Sequence, residues 1–284
     1  MKQTYIEVEG SGFLTEEILD RLTEIRGINT ELIRIIWESL HFAKNLVKST
    51  QVVTPQETQS DKQRAIVLVL LVREIEIVES VLILASFGIR QDLHTLFRVF
   101  LDAYFITANV CSDPEFVVTY FQTDEKDRLK FANVAAKYSN DELFGALKKY
   151  ATEEMRGELA ERIKRDGIHE FNSFLFADKV GAARVYDSLY RLSSASVHTT
   201  PRCLEDYINT DEVGNILTIL HQTSAETTDE VLHAIAFYLL ISVRGISDLF
   251  NNSDMATLDR LDRSLQAIQA IPPTTARPSG GTGN

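Results

Sequence analysis

Cysteine is scarce in this sequence. Only Cys111 and Cys203 occur, and their separation fits no metal-ligand pattern. Two cysteines make no disulfide framework of the kind that staples small secreted domains, so both are expected as reduced thiols in a cytoplasmic protein. Long apolar runs are lacking too. The longest begins AIVLVLLV at Ala65 and meets Arg73, Glu74, Glu76 and Glu79 at once, and a second, Ala234 to Ser242, lies between His233 and Arg244. A bilayer-spanning helix needs roughly 20 largely apolar residues, so both read as buried core helices and no membrane partner is expected. The opening MKQTYIEVEGSGF has no basic-then-apolar run, and no signal peptide is expected from it.

Positive charge is the third shortage. Lys and Arg number 29 against 41 Asp and Glu, a net charge of -12 at pH 7. Duplex DNA and anionic membrane call for a cationic face that neutralises phosphates. Neither is expected as a partner, although a local basic site for a few phosphates stays open. A Gly-rich phosphate loop, a Gly-x-Ser-x-Gly elbow and zinc-finger spacing are all missing, so no cofactor is implied. No fixed-period repeat suggests a solenoid. Strict period-two alternation never persists, and Asp166-Gly167 stands at a helix end, so no hairpin is expected.

What is present is helical periodicity. Thr15 can cap a helix from Glu16 to about Ile25. Thr30 opens another, in which Leu32, Ile35, Ile36, Leu40, Ala43 and Val47 form one stripe; Trp37 is expected in its core. After the loop STQVVTPQETQSD, a helix from about Ser60 to Phe87 is apolar nearly all round, as a central bundle helix is, and Gly88 ends it. Further helices are predicted over Arg90–Val110, Glu115–Tyr138, Asp141–Tyr150, Glu153–Arg165, Ala182–Thr199, Thr210–Phe250, with a break near Thr223 to Thr228 left open, and Asp254–Ala270. The segment His169 to Val180 has no clear periodicity. The expected fold is all-α, a multi-helix bundle of roughly eight to ten helices with short connections. Residues 1–12 are an N-terminal extension, 13–270 one helical-bundle domain, and 271–284 a disordered tail poor in apolar residues.

Three constellations carry candidate chemistry. In the first, Asp187, Arg191, Ser194 and His198 follow at steps of four, three and four, which makes a polar seam on one helix face. Arg191 and His198 lie about 10.5 Å apart along the axis, and His198 leans back towards Arg191. Ser193, Ala195 and Ser196 are small enough to let another helix approach. Such a seam suits metal-free cleavage of RNA: an imidazole can take the 2′-hydroxyl proton, and a guanidinium can stabilise charge on the phosphorane oxygens. Asp187 could orient Arg191. The bland alternative is a packing helix in which Arg191 pairs with Asp187 and His198 caps the end.

In the second constellation, His94, Arg98 and Asp102 line one face of a core-forming helix. A charge inside a bundle must be paired, and Glu76 or Glu79 is the expected partner of Arg98; alternatively Arg98 joins Arg191 as a second phosphate ligand. The third is Glu-x-x-His twice, Glu38 with His41 and Glu230 with His233. Di-iron bundles use two such motifs plus single acids, for which Glu76 or Glu79 and Asp102 are available. A metal site is therefore an alternative reading only.

The pairing of an arginine with a histidine a few residues later, on a late helix of an all-α bundle, resembles the HEPN superfamily. Two segments are similar to an uncharacterised bacterial family of unknown function related to that group. One is Phe87-Gly88 with Arg98 and Asp102 in TLFRVFLDAYF; the other is Tyr190-Arg191-Leu192-Ser193 followed by His198. The resemblance implies a HEPN-like core and a homodimer whose site is shared between subunits. It implies Arg191 and His198 as the catalytic pair of a metal-independent endoribonuclease, or as the binding site of an RNA- or nucleotide-binding relative. Phage defence or toxin–antitoxin function is the implied setting. The readings from other classes are a non-enzymatic helical protein-interaction module and a carboxylate-bridged di-iron bundle.

Overall fold

The computed structural model describes residues 6–9, 27, 30–53, 56–138, 152–198, 200–221, 229–252 and 254–269. The helices expected over Thr15–Ile25 and Asp141–Tyr150, and the tail from 271, lie outside these residues. The chain is an all-α bundle with one small sheet. Its helices are α1 (Thr30–Ser49), α2 (Gln59–Ser86), α3 (Arg90–Ser112), α4 (Phe116–Lys137), α5 (Glu153–Arg165) and α6 (Ser173–Lys179). Next comes α7, in which Ala183–Val185, a π-helical Tyr186–Tyr190 and Arg191–Val197 run on without a break. After it come α8 (Pro201–Leu204), α9 (Asp229–Leu249) and α10 (Met255–Gln269).

Local sequence explains where the helices start and stop. Thr58 and Asp61 form a capping box at α2: Asp61 N–H donates to Thr58 Oγ1 at 3.1 Å and Thr58 N–H to the Asp61 carboxylate at 3.0 Å. Gly88 takes φ +66°, where a side chain would be strained, and ends α2 as its position predicts. Thr152 and Asn172 cap α5 and α6 through the N–H groups of Met155 and Leu175. In α1 the stripe Leu32, Ile35, Ile36, Leu40 and Ala43 is buried as expected. Trp37 is a correction, being 54% exposed. It stands one residue, about 100° of helix, beyond Ile36, and so shares the solvent face with Arg34 and His41.

Tertiary packing centres on α3, which lies against α2, α6, α7 and α9; α9 in turn packs on α1, α2 and α10. Phe97, Phe100, Leu101 and Phe105 of α3 are essentially fully buried, and burying such side chains contributes roughly 1.5–3 kcal/mol each. By length and composition α9 could cross a membrane. Its Leu232, Ile235, Ala236, Leu239 and Val243 are instead 0% exposed inside the bundle.

The sheet overturns the expectation of helix from Thr210 onwards, while the later part, Asp229–Leu249, is helical as expected. Residues Ile208–Thr210 (β2) and Ile216–Leu220 (β3) pair antiparallel, and α9 begins only at Asp229. The turn between them is built by Asp211, whose Oδ1 accepts from the N–H groups of Val213 and Asn215 at 3.0 and 2.8 Å, and by Gly214 at φ +87°. The β-branched Ile216, Thr218 and Ile219 follow. Glu7–Glu9 (β1) adds to β3 in parallel, giving the order β1-β3-β2, so the supposed N-terminal extension supplies a strand.

The most buried charged-type side chain is Glu74 of α2, at 0% exposure. Its Oε1 accepts from Thr107 Oγ1 of α3 at 2.6 Å and from Ser242 Oγ of α9 at 3.2 Å. Burial outweighs those bonds and pushes the carboxyl up from 4.5 to about 7. Between these values the native chain holds a proton that the unfolded chain has lost. Stability therefore falls as pH rises through that window, by roughly 3 kcal/mol. Urea unfolding at pH steps from about 5 to about 7 should show this decline in the wild type and a flatter profile in Glu74→Gln. Parallel profiles would mean that Glu74 stays ionised throughout.

Candidate functional site

The chain around Arg191 is not a regular helix. Tyr186–Tyr190 is π-helical, a wider turn that recurs at functional sites. The wider turn sets Tyr190 inward, at 5% exposure, with Tyr186 stacked on it at 4.6 Å between ring centroids and 18° between planes. Ser193 is buried against α3, and Thr95 Oγ1 donates to Ser196 O at 3.2 Å. The small residues of this stretch thus admit a neighbouring helix, as their size predicts, and that helix is α3.

Beneath α7 lies a polar cluster. Arg98 Nη2 donates to Tyr190 Oη at 3.0 Å, and its guanidinium carbon stands 4.9 Å from the Tyr190 ring centroid. The single Tyr190 hydroxyl proton has Asp102 Oδ2 at 3.3 Å and Ser173 Oγ at 3.1 Å as acceptors, and Ser173 itself donates to Asp102. Burial raises Asp102 above the usual carboxylate range, against the Ser173 bond and the Arg98 charge. Burial likewise raises Tyr190. One turn before Arg98, burial and then Arg90 push His94 down.

Arg98 does not pair with Glu76 or Glu79. Those carboxylates sit on the outer side of α2, with Glu79 on Lys44 and Glu76 3.7 Å from Arg73. The acid that α2 turns inward is Glu74, and it meets Thr107 and Ser242. Arg98 instead spends its charge next to Asp102, and its Nε is buried without a hydrogen-bond partner.

Above this cluster the expected seam is partly present. Arg191 Nε lies 3.6 Å from Asp187 Oδ1, and both side chains are exposed. The Arg191 guanidinium carbon is 5.9 Å from the Tyr186 ring centroid. Ser194 turns away from the seam and donates to Tyr190 O at 2.8 Å. His198 is exposed but is no longer helical: at φ −112° and ψ 134° it opens the turn into α8, where Thr200 N–H meets His198 O at 2.6 Å and Pro201 takes the first helical position. Straight seven-residue helical geometry therefore does not link Arg191 and His198. They flank the two ends of the Arg191–Val197 segment, both open to solvent.

The four residues of the di-iron alternative do not form a ligand set. Glu38 is held by Arg260 and Arg34, and the Arg260 bond leads in drawing its carboxyl below the ordinary range. His41 and Glu230 are exposed, and burial lowers His233. Among the described residues no group of three or more His, Cys, Asp or Glu side chains could hold a metal.

Sequence reasoning missed Ser173 and Tyr186. Ser173 falls in the stretch without periodicity. The four-residue step from Tyr186 to Tyr190 was visible, but its stacking depends on the π-turn.

The fold and this cluster define a helical-bundle protein in which an aromatic, arginine-bearing helix is pinned by polar contacts onto a central helix. The model of a family of unknown function, DUF5677, matches residues 64–216, which is more than half of the chain and reaches from α2 to the start of β3. The chain belongs to that family. The matched span includes Glu74, Arg98, Asp102, Ser173, Tyr190, Arg191 and His198. No curated protein and no solved structure matches the chain.

Tyr190→Phe removes the one hydroxyl shared by Arg98, Asp102 and Ser173. It should cost about 1–3 kcal/mol in urea unfolding, because partners are left unsatisfied. Arg191→Ala, at an exposed site, should stay within about 0.5 kcal/mol. The opposite order would show that the hydroxyl contributes nothing to the fold.

Proposed function

We propose that this chain is a HEPN-like RNA-binding protein that cleaves RNA without a metal ion, with Arg191 and His198 as the working pair. The observation that carries this reading is their joint exposure at the two ends of one short helical segment that is fixed from below. Arg191 is held only loosely by Asp187, since an exposed pair at that distance contributes roughly 0–1 kcal/mol. Its guanidinium therefore keeps donors for a phosphate. Arg184 and Arg202 are also exposed on either side, which gives this region local cations despite the overall negative charge.

In the proposed step, the His198 imidazole takes the 2′-hydroxyl proton and the 2′-oxygen bonds to phosphorus. The phosphorus–5′-oxygen bond breaks, the leaving oxygen takes a proton from water, and the His198 imidazolium returns its proton to solvent. The products are a 2′,3′-cyclic phosphate and a 5′-hydroxyl. Arg191 stabilises the charge that builds on the non-bridging oxygens. Arg98, Asp102, Ser173 and Tyr190 are positioning residues that hold α7.

A homodimer fits the exposed Leu192 and Val197 beside the pair, at 55% and 36%, because apolar side chains at such positions favour a partner face. Defence against phage, or a toxin–antitoxin pair, is the setting that this activity suits.

Single-stranded RNA incubated with the protein in EDTA should be cut to fragments ending in cyclic phosphate. His198→Ala and Arg191→Ala should each slow cleavage by about 100-fold or more. RNA bound but left intact by the wild type would reduce the reading to a non-catalytic RNA-binding protein. RNA neither bound nor cut would favour a helical interaction module.

A further inference from the structure

The pairing register divides the small sheet into two unlike faces. Val8, Ile219 and Ile208 stand opposite one another across β1, β3 and β2, so their side chains share one face. Strand alternation adds Ile6 and Leu217 to that face. The other face carries Glu7, Thr218 and Asn209 in its matching row, and Glu9 beside Leu220. The aliphatic face is turned to solvent: Ile6 is 52%, Val8 61%, Leu217 52% and Ile219 39% exposed. It amounts to on the order of 400 Å² of apolar surface, a size that marks an interaction site.

The root of the sheet lies near the end of α7. Asp206, just before β2, is held by Arg90 at 2.9 Å. Ser196 O of α7 accepts from Thr95 Oγ1 at 3.2 Å. Arg90 and Thr95 are about 7.5 Å apart along α3, so both anchors share one end of the molecule. Val197 is exposed at that end, with Leu192 further back along α7.

Charge selects what can lie on this face. The chain carries a net charge of -12, so two copies repel through most of their surfaces. Here they do not, because Glu7 and Glu9 belong to the far face. A two-fold axis sets the same uncharged row against itself, at the spacing of about 10 Å that stacked sheets adopt. With Leu192 and Val197 added, two copies bury on the order of 1,000 Å² together, about the least that a specific interface needs.

We propose that a second copy of this chain docks on the Val8–Ile219–Ile208 face, sheet on sheet. The proposal deepens the homodimer reading of α7, on which it rests for the added area, and it needs no RNA cleavage.

The test is sedimentation velocity of the full chain, without RNA, over a range of concentrations. The wild type should dimerise reversibly in the micromolar range. Val8→Glu, at an exposed edge position, puts a charge into each copy's row. Ile219→Thr removes apolar surface from the centre of the row and keeps a β-branched residue in the strand. Each should weaken the dimer by about tenfold or more, whereas Glu7→Gln on the far face should leave it within about twofold. A chain that stays monomeric would overturn the proposal, as would a dimer that either Val8→Glu or Ile219→Thr leaves intact. Equal weakening by Glu7→Gln would move the contact to the edge of β1 and overturn it too. A dimer that leaves RNA uncut would sink the nuclease reading alone, and a monomer that cuts RNA would sink this one alone.

Discussion

The structure rests on one constraint: α3 is surrounded by other helices, and most of the polar groups it buries are matched by a particular neighbour. Thr107 meets Glu74 from α2. Asn109 Nδ2 donates to Phe176 O of α6 at 2.8 Å. Asp102 takes the hydroxyl of Ser173, and Arg98 takes Tyr190 of α7. The C-terminal carbonyl of Val110 receives Gln63 from α2 at 2.6 Å. Apolar packing supplies most of the cohesion but is indifferent to small rotations. The desolvation cost of a stranded polar atom is not. These contacts set the angle at which α2, α6, α7 and α9 can dock, and so the direction in which Arg191 and His198 face.

That constraint also explains what could be read from the sequence and what could not. The stripe of α1, the central α2, Gly88 at its end and the aromatic face of α3 follow from spacing alone, because burial there is periodic. The Arg98 partner could not be found this way. Glu76 and Glu79 were near in sequence and opposite in charge, yet two residues on a helix differ by about 200°, and it was Glu74 that faced inward. The β2–β3 hairpin escaped because its turn, Asp211 to Asn215, lacks the two-residue Asn-Gly or Asp-Gly signature and uses an aspartate side chain instead. In the candidate site, Asp187 and Arg191 lie within reach of each other, as their spacing predicts, whereas the inward turn of Tyr190 follows from the π-helical stretch. Ser194 and His198 do not share the seam, since Ser194 bonds back to Tyr190 O and the helix stops at Val197.

The π-turn in α7 joins the two halves of the candidate site. A regular α-helix would advance about 100° per residue, and the wider π turn advances less per residue, which shifts the faces between Asp187 and Arg191. Tyr190 can then face Arg98 while Tyr186 covers it and touches Arg191, giving a continuous line of contact from a half-buried guanidinium to an exposed one. Anything that bound Arg191 would press on rings that rest on α3.

The parallel pairing of β1 with β3 has a consequence for handling the molecule. β3 is Ile-Leu-Thr-Ile-Leu, with Leu217 52% and Ile219 39% exposed, and β1 closes one of its sides. Trimming the first nine residues would uncover a short, uncharged, β-branched edge. Such an edge recruits strands from other molecules, so a shortened chain would tend to precipitate through its sheet even with the helical bundle intact.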